Sequence, residues 1–143
     1  MPLNSLSKLL QDNMTNYDQE VDKIRIYNQP ILEEFESWLK STGVTPKTVK
    51  NHMDNIGFFG EYLIYSEPLN KLDEADANDV YSFLADWFPR KAMWASESST
   101  KSNMASFRKF FKFLRESNRV DDDTEIEVRD TLKENKDEFL AGL

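Results

Sequence analysis

The sequence predicts an all-α fold, an irregular bundle of four to five main helices with a short helical extension at its N-terminus. Three observations predict it. Apolar residues recur at spacings of three and four along most of the chain, where strands would alternate every two. Four glycines and five prolines leave too little turn chemistry for the many hairpins of an all-β domain. Helix-start residues also stand just ahead of the apolar runs. With 143 residues, 39% of them apolar and 13% aromatic, the chain can bury one core of ordinary size.

Residues 1–28 read as the extension. A helix from Ser5 to Asp12 carries Leu6, Leu9 and Leu10, and a second from Tyr17 to Tyr27 sets Tyr17, Val21, Ile24 and Tyr27 at helical spacing. Pro30 opens the next helix at its first position, where a missing N–H costs nothing. Ile31, Phe35, Trp38 and Leu39 form its apolar stripe, and Gly43 ends it. Thr45 caps a helix with Pro46 at its first position. Val49, Met53, Ile56, Phe59, Gly60 and Leu63 face inward there, and Gly60 predicts the close crossing of another helix.

Pro68 interrupts the pattern, and Leu69 to Ala75 connect to a helix capped by Asp76 or Asn78. Its buried side is Val80, Phe83, Leu84, Trp87 and Phe88, and Pro89 stops it. A loop from Arg90 to Glu97 leads to Ser98–Thr100, which supply caps for a helix from Lys101 to about Asn118. After the charged break Asp121–Asp123, Thr124 and Glu127 form a capping box for one last helix. The division expected is 1–28 extension, 29–120 helical domain, and 121–143 an acidic C-terminal helix of that domain or a tail.

Composition excludes several function classes. Without cysteine there is no disulfide, thiolate metal site or cysteine nucleophile. The start lacks a signal-peptide pattern and no apolar run approaches the roughly 20 residues of a membrane span, so a soluble, cytoplasmic protein is expected. His52, the single histidine, lies beside an apolar stripe and reads as structural. Ser98, Ser99 and Thr100 read as caps, with no base in recognisable reach. No enzyme, cofactor, metal or small-molecule substrate is predicted.

The net charge of −8 is unevenly placed. Residues 121–143 hold nine acids and three bases, which leaves the body before them near neutral. Within that body, Lys101, Arg108, Lys112, Arg115 and Arg119 fall in one narrow helical stripe flanked by Lys109, with Glu116 the single acid in the span. A cationic ridge of roughly 27 Å, at about 1.5 Å per residue, suits phosphates. Read by itself, it fits an ordinary solvated face better than a binding ridge. A second group, Lys47, Thr48, Lys50 and Asn51, stands at a helix N-terminus whose amides would welcome a phosphate. Asn51, Asn55 and Asn103 are amides able to read base edges, and Trp94 stands in a loop as an exposed contact.

Four segments in order carry a family resemblance. They are Ile31-Leu32-Glu33-Glu34-Phe35 through Leu39, Thr48 through Phe59-Gly60-Glu61-Tyr62-Leu63, Leu72 through Asp79-Val80-Tyr81-Ser82-Phe83-Leu84, and Ser99-Thr100-Lys101 through Phe107-Arg108-Lys109-Phe110-Phe111-Lys112-Phe113-Leu114. From about Ile31 to Val120 the chain resembles the N-terminal, core-binding domain of the tyrosine recombinases, or phage integrases. That resemblance implies a SAM-like helical fold forming half of a clamp around duplex DNA, its second and fourth helices on the backbone and major groove. The implied contacts are Lys47, Thr48, Lys50, Asn51, Lys101, Ser102, Arg108 and Lys112, to which the ridge adds Arg115. His52 stands where the family pattern often has a tyrosine, and Asn118-Arg119-Val120 replaces the usual Asn-Pro exit. The family's catalytic arginines, histidine and tyrosine have no counterpart here, so recombination by this chain alone is not expected.

The function expected is therefore a non-catalytic, DNA-binding module with duplex DNA, a recombinase or a second copy as partner. The alternative is a protein-interaction or self-association module of the same fold that has lost DNA binding. It would dock through Ile126, Val128, Leu132 and Phe139 of the last helix.

Overall fold

A computed structural model describes the backbone of residues 2–66 and 68–143, and the side chains of 16–66 and 68–143. Helices and short connections make up the whole of it, with no strand among the described residues. The first helix, α1, runs unbroken over Pro2–Ser41 with Pro30 inside it. The two short helices expected before residue 28 and the start expected at Pro30 are thus one element. The side chains of Leu6, Leu9 and Leu10 lie outside the described residues.

The reason is a stripe without a phase break. Val21, Ile24, Asn28, Ile31, Phe35 and Leu39 recur at three and four residues straight through Pro30 and are all buried. An interior proline costs roughly 3 kcal/mol, less than burying the residues on both sides of it returns at about 1.5–3 kcal/mol per large side chain. Ile26, whose carbonyl loses its helical donor to Pro30, lies on the exposed side. Asn28 is the polar member of the stripe, and its Oδ1 accepts from the Leu72 amide at 3.1 Å.

α2 spans Pro46–Tyr65 and begins as expected, Thr45 accepting from the Thr48 amide. Val21 and Ile24 pack against Ile64 near its end, and the Tyr17 hydroxyl donates to the Ile64 carbonyl at 3.3 Å. Gly60 does meet a close neighbour, but it is the Leu72 side chain of a 3-10 turn over Leu72–Glu74, 3.5 Å from where a Cβ would stand. Asp76 caps α3 (Ala77–Ser82) in a capping box with Asp79.

Pro89 was expected to stop this helix. Instead a π turn over Phe83–Trp87 leads into α4 (Phe88–Lys91), with the Phe88 amide bonded to the Phe83 carbonyl. The wider turn accommodates a residue that has no amide to give. It also keeps Phe83 and Phe88 both buried.

α5 spans Glu97–Glu116, starting a turn earlier than expected because Ser96 and Ser99 form the capping box. Thr100, one of the expected caps, is buried. Phe59, Phe83 and Phe107 meet edge to face, with centroids 4.8–5.6 Å apart, where α2, the π turn and α5 converge. Phe35 and Phe110 join α1 to α5 at 5.1 Å.

α5 ends in a left-handed residue, Asn118 (φ 59°). The Arg119 amide reaches back to the Leu114 carbonyl and the Asn118 amide to that of Arg115, a Schellman closure. α6 (Asp122–Glu134) is capped by Asp121 rather than by Thr124 with Glu127. A break at Asn135 separates α7 (Lys136–Ala141), so the single last helix expected is two. Both pack on the bundle, and Val128, Leu132 and Phe139 are fully buried.

Candidate nucleic-acid interface

α2 and α5 lie side by side, joined by a polar seam. Asn55 Nδ2 donates to Ser102 Oγ at 3.0 Å and to Ser106 Oγ at 2.9 Å. The Ser106 hydroxyl spends its own hydrogen on the Ser102 carbonyl, 3.1 Å away. It must then also accept from His52 Nδ1, which lies 2.7 Å from it. This hydrogen count places the imidazole proton on Nδ1. Burial holds His52 below the usual imidazole range, and the Lys109 ammonium pushes the same way. His52 pairs with Ser106 while Asn55, further along α2, reaches Ser102, so the helices run antiparallel.

The cationic ridge divides into three parts. At its start Lys101 is paired with Glu97 at 2.8 Å. At its end Arg119 is bound to Glu34 of α1 and Arg115 to Glu125 of α6, with Asp122 4.0 Å away. Between them Arg108, Lys109 and Lys112 have no ion-pair partner among the described residues. These three, with Arg115 and Arg129, line a groove of about 370 Å³ along α5 and α6, in which Glu125 is the acid. Glu125 is itself buried against Arg115, with Arg129 at 3.8 Å. Arg129 is not legible in the sequence as a groove residue, since it lies in the acidic segment. Its one signal was the i,i+4 spacing from Glu125.

The α2 group is partly spent. The Thr48 amide is taken by Thr45, Pro46 has none, and Lys50 is paired with Asp54 at 2.7 Å. Less of an anion site remains at this helix start than its sequence suggests. Lys47 and Asn51 are exposed, and the antiparallel seam carries Lys47 toward the Lys112 end of α5. Asn103 is buried and donates to the Ser99 carbonyl at 2.9 Å, which removes it as a reader of bases. Ser102 is half-buried and accepts from Asn55.

A model of the family described as phage integrase, N-terminal SAM-like domain, matches residues 32–118. The chain belongs to this family. The match takes in the last quarter of α1 and everything from α2 through α5, so it covers the Lys47 group and the ridge as far as Arg115. The integrase domain matched is the N-terminal one, not the catalytic one. No curated protein and no solved structure matches the chain. No helix among the described residues is long and apolar enough to cross a membrane.

Proposed function

We propose that this integrase-type N-terminal domain binds duplex DNA through its phosphates, at the groove of Arg108, Lys109 and Lys112, and carries out no reaction itself. One observation supports the reading above the others. In a chain of net charge −8, three cations without ion-pair partners among the described residues share one groove with Arg115 and Arg129. Gathering like charges is unfavourable, and a polyanion bound across them offsets that cost. Lys47, carried to the same end of the seam, serves as a second backbone contact.

The test is a titration of a labelled random duplex of about 25 base pairs at low salt, followed by anisotropy. Contact with about four phosphates gives a slope near −3.5 for log K against log salt. Arg108→Glu/Lys112→Glu is expected to abolish binding. No binding by the wild-type chain, or binding that the double variant retains, rules the groove out. The reading of this domain as a protein-docking module through its last helix is disfavoured by burial. Val128, Leu132 and Phe139 face the domain's own core, and Ile126 alone of the four is exposed.

A further inference from the structure

A second cleft, of about 500 Å³, opens between α2 and the first turns of α5, and its chemistry differs from the groove's. One wall is Trp94, from the loop before α5, which is 57% exposed. A surface indole this open stands out, because tryptophan is mostly well buried. It is also firmly held. Its ring packs against Phe58 at 5.1 Å and Phe88 at 6.4 Å between centroids, and its carbonyl accepts from Ser99 Oγ at 3.1 Å.

The rest of the lining makes hydrogen bonds. Asn55 has committed its amino group to Ser102 and Ser106, which leaves Oδ1 able to accept. Asn51 is exposed, and both ends of its amide are unengaged among the described residues. Ser98 adds a hydroxyl. Asp54 is the one charged residue of the lining, and Lys50 neutralises it at 2.7 Å. A fixed aromatic surface, amide donors and acceptors, and no net charge suit a flat heteroaromatic ring with a polar edge, and suit a phosphate poorly.

The cleft also continues the groove. At 100° per residue, Ser98, Ser102 and Lys109 lie within about 40° of one another around α5. Lys109 lies about 10 Å beyond Ser102 along the axis, at 1.5 Å per residue. That is the reach of one or two nucleotides. A base seated in the cleft and the phosphates next to it in the groove can thus belong to one strand.

We propose that this cleft binds one unpaired base of DNA, stacked on Trp94 and read by Asn51 and Asn55. The base must be unpaired because a base inside a duplex offers no free face. The inference rests on the duplex-binding reading only for the phosphates beside the base.

The full chain would be titrated with three labelled DNAs of one sequence, following anisotropy and tryptophan fluorescence together. They are a blunt duplex, the duplex with one unpaired nucleotide in mid-strand, and the latter with that nucleotide abasic. The unpaired base is expected to tighten binding on the order of 10-fold over the other two, and to quench fluorescence. Trp94→Ala removes that gain and leaves blunt-duplex affinity unchanged. Ser98→Leu, which narrows the cleft beside Trp94 and removes none of the Trp94 ring contacts, is expected to weaken the gain.

Equal affinity for all three DNAs, or for the unpaired and abasic ones, overturns the base site while leaving the duplex reading in place. A gain that survives Trp94→Ala places the base elsewhere and overturns the assignment. If only the DNA with the unpaired base binds, and Arg108→Glu/Lys112→Glu has no effect, the base site stands and the groove falls. No binding to any of the three overturns both.

Discussion

The neutral ring of His52 has a consequence for stability. Its pKa is about 6.5 when unfolded and lower when folded, because burial and Lys109 disfavour the charged form. As pH falls below 6.5 the unfolded chain takes up a proton that the folded chain refuses, so stability falls with it. The loss ends once pH passes below the folded value. His52→Gln, which keeps a donor for Ser106, is expected to flatten the melting temperature between about pH 7.5 and 5.5 relative to the wild type. Parallel curves would count against a buried neutral histidine. Residues like this one were legible as structural because their neighbours in sequence are apolar. The pairing of charges was not. Glu34 reaches Arg119 across the length of the chain, and no local pattern announces such a partner.

Among the helices, periodic burial outweighed local punctuation. The stripes of α2 and α5 read correctly because each apolar position has a core to face. Boundaries misread where two signals competed. Ser96 and Ser98 are equally good caps by type, and burial of Thr100 decides for the earlier one. Pro30 and Pro89 are breakers by type, yet a continuous stripe carries the chain through the first and a π turn through the second. Pro30→Ala therefore has a definite sign. It restores a helical hydrogen bond to Ile26 and removes a clash, so stability should rise by about 1–3 kcal/mol. Thermal melting would show this as several degrees. An unchanged or lower melting temperature would mean that the packing of α1 depends on the bend proline imposes.

For the molecule as a whole, the acidic segment is part of the fold. Val128, Leu132 and Phe139 are completely buried, and at about 1.5–3 kcal/mol each they contribute on the order of a domain's entire net stability. A chain ending at Val120 should show no cooperative thermal transition. A sharp transition near the wild-type temperature would instead make residues 121–143 an appendage. The net charge, read alone, argued against a polyanionic partner. What it hid is that Arg108, Lys109 and Lys112 gather on α5 while most of the excess acid lies on α6 and α7.

Asn118 fixes how those helices meet. With the Arg119 amide closed back on Leu114, α6 returns along α5 after a turn of a few residues, and Glu125 comes to rest on Arg115, ten positions away. The bond from Arg119 to Glu34 closes a loop of 85. By the logarithmic dependence of closure entropy on length, the longer loop costs about 2 kcal/mol more. Closure entropy alone thus favours the α5–α6 contact over the clasp between α5 and α1. One residue of left-handed backbone makes the cheaper of the two closures a short-range one.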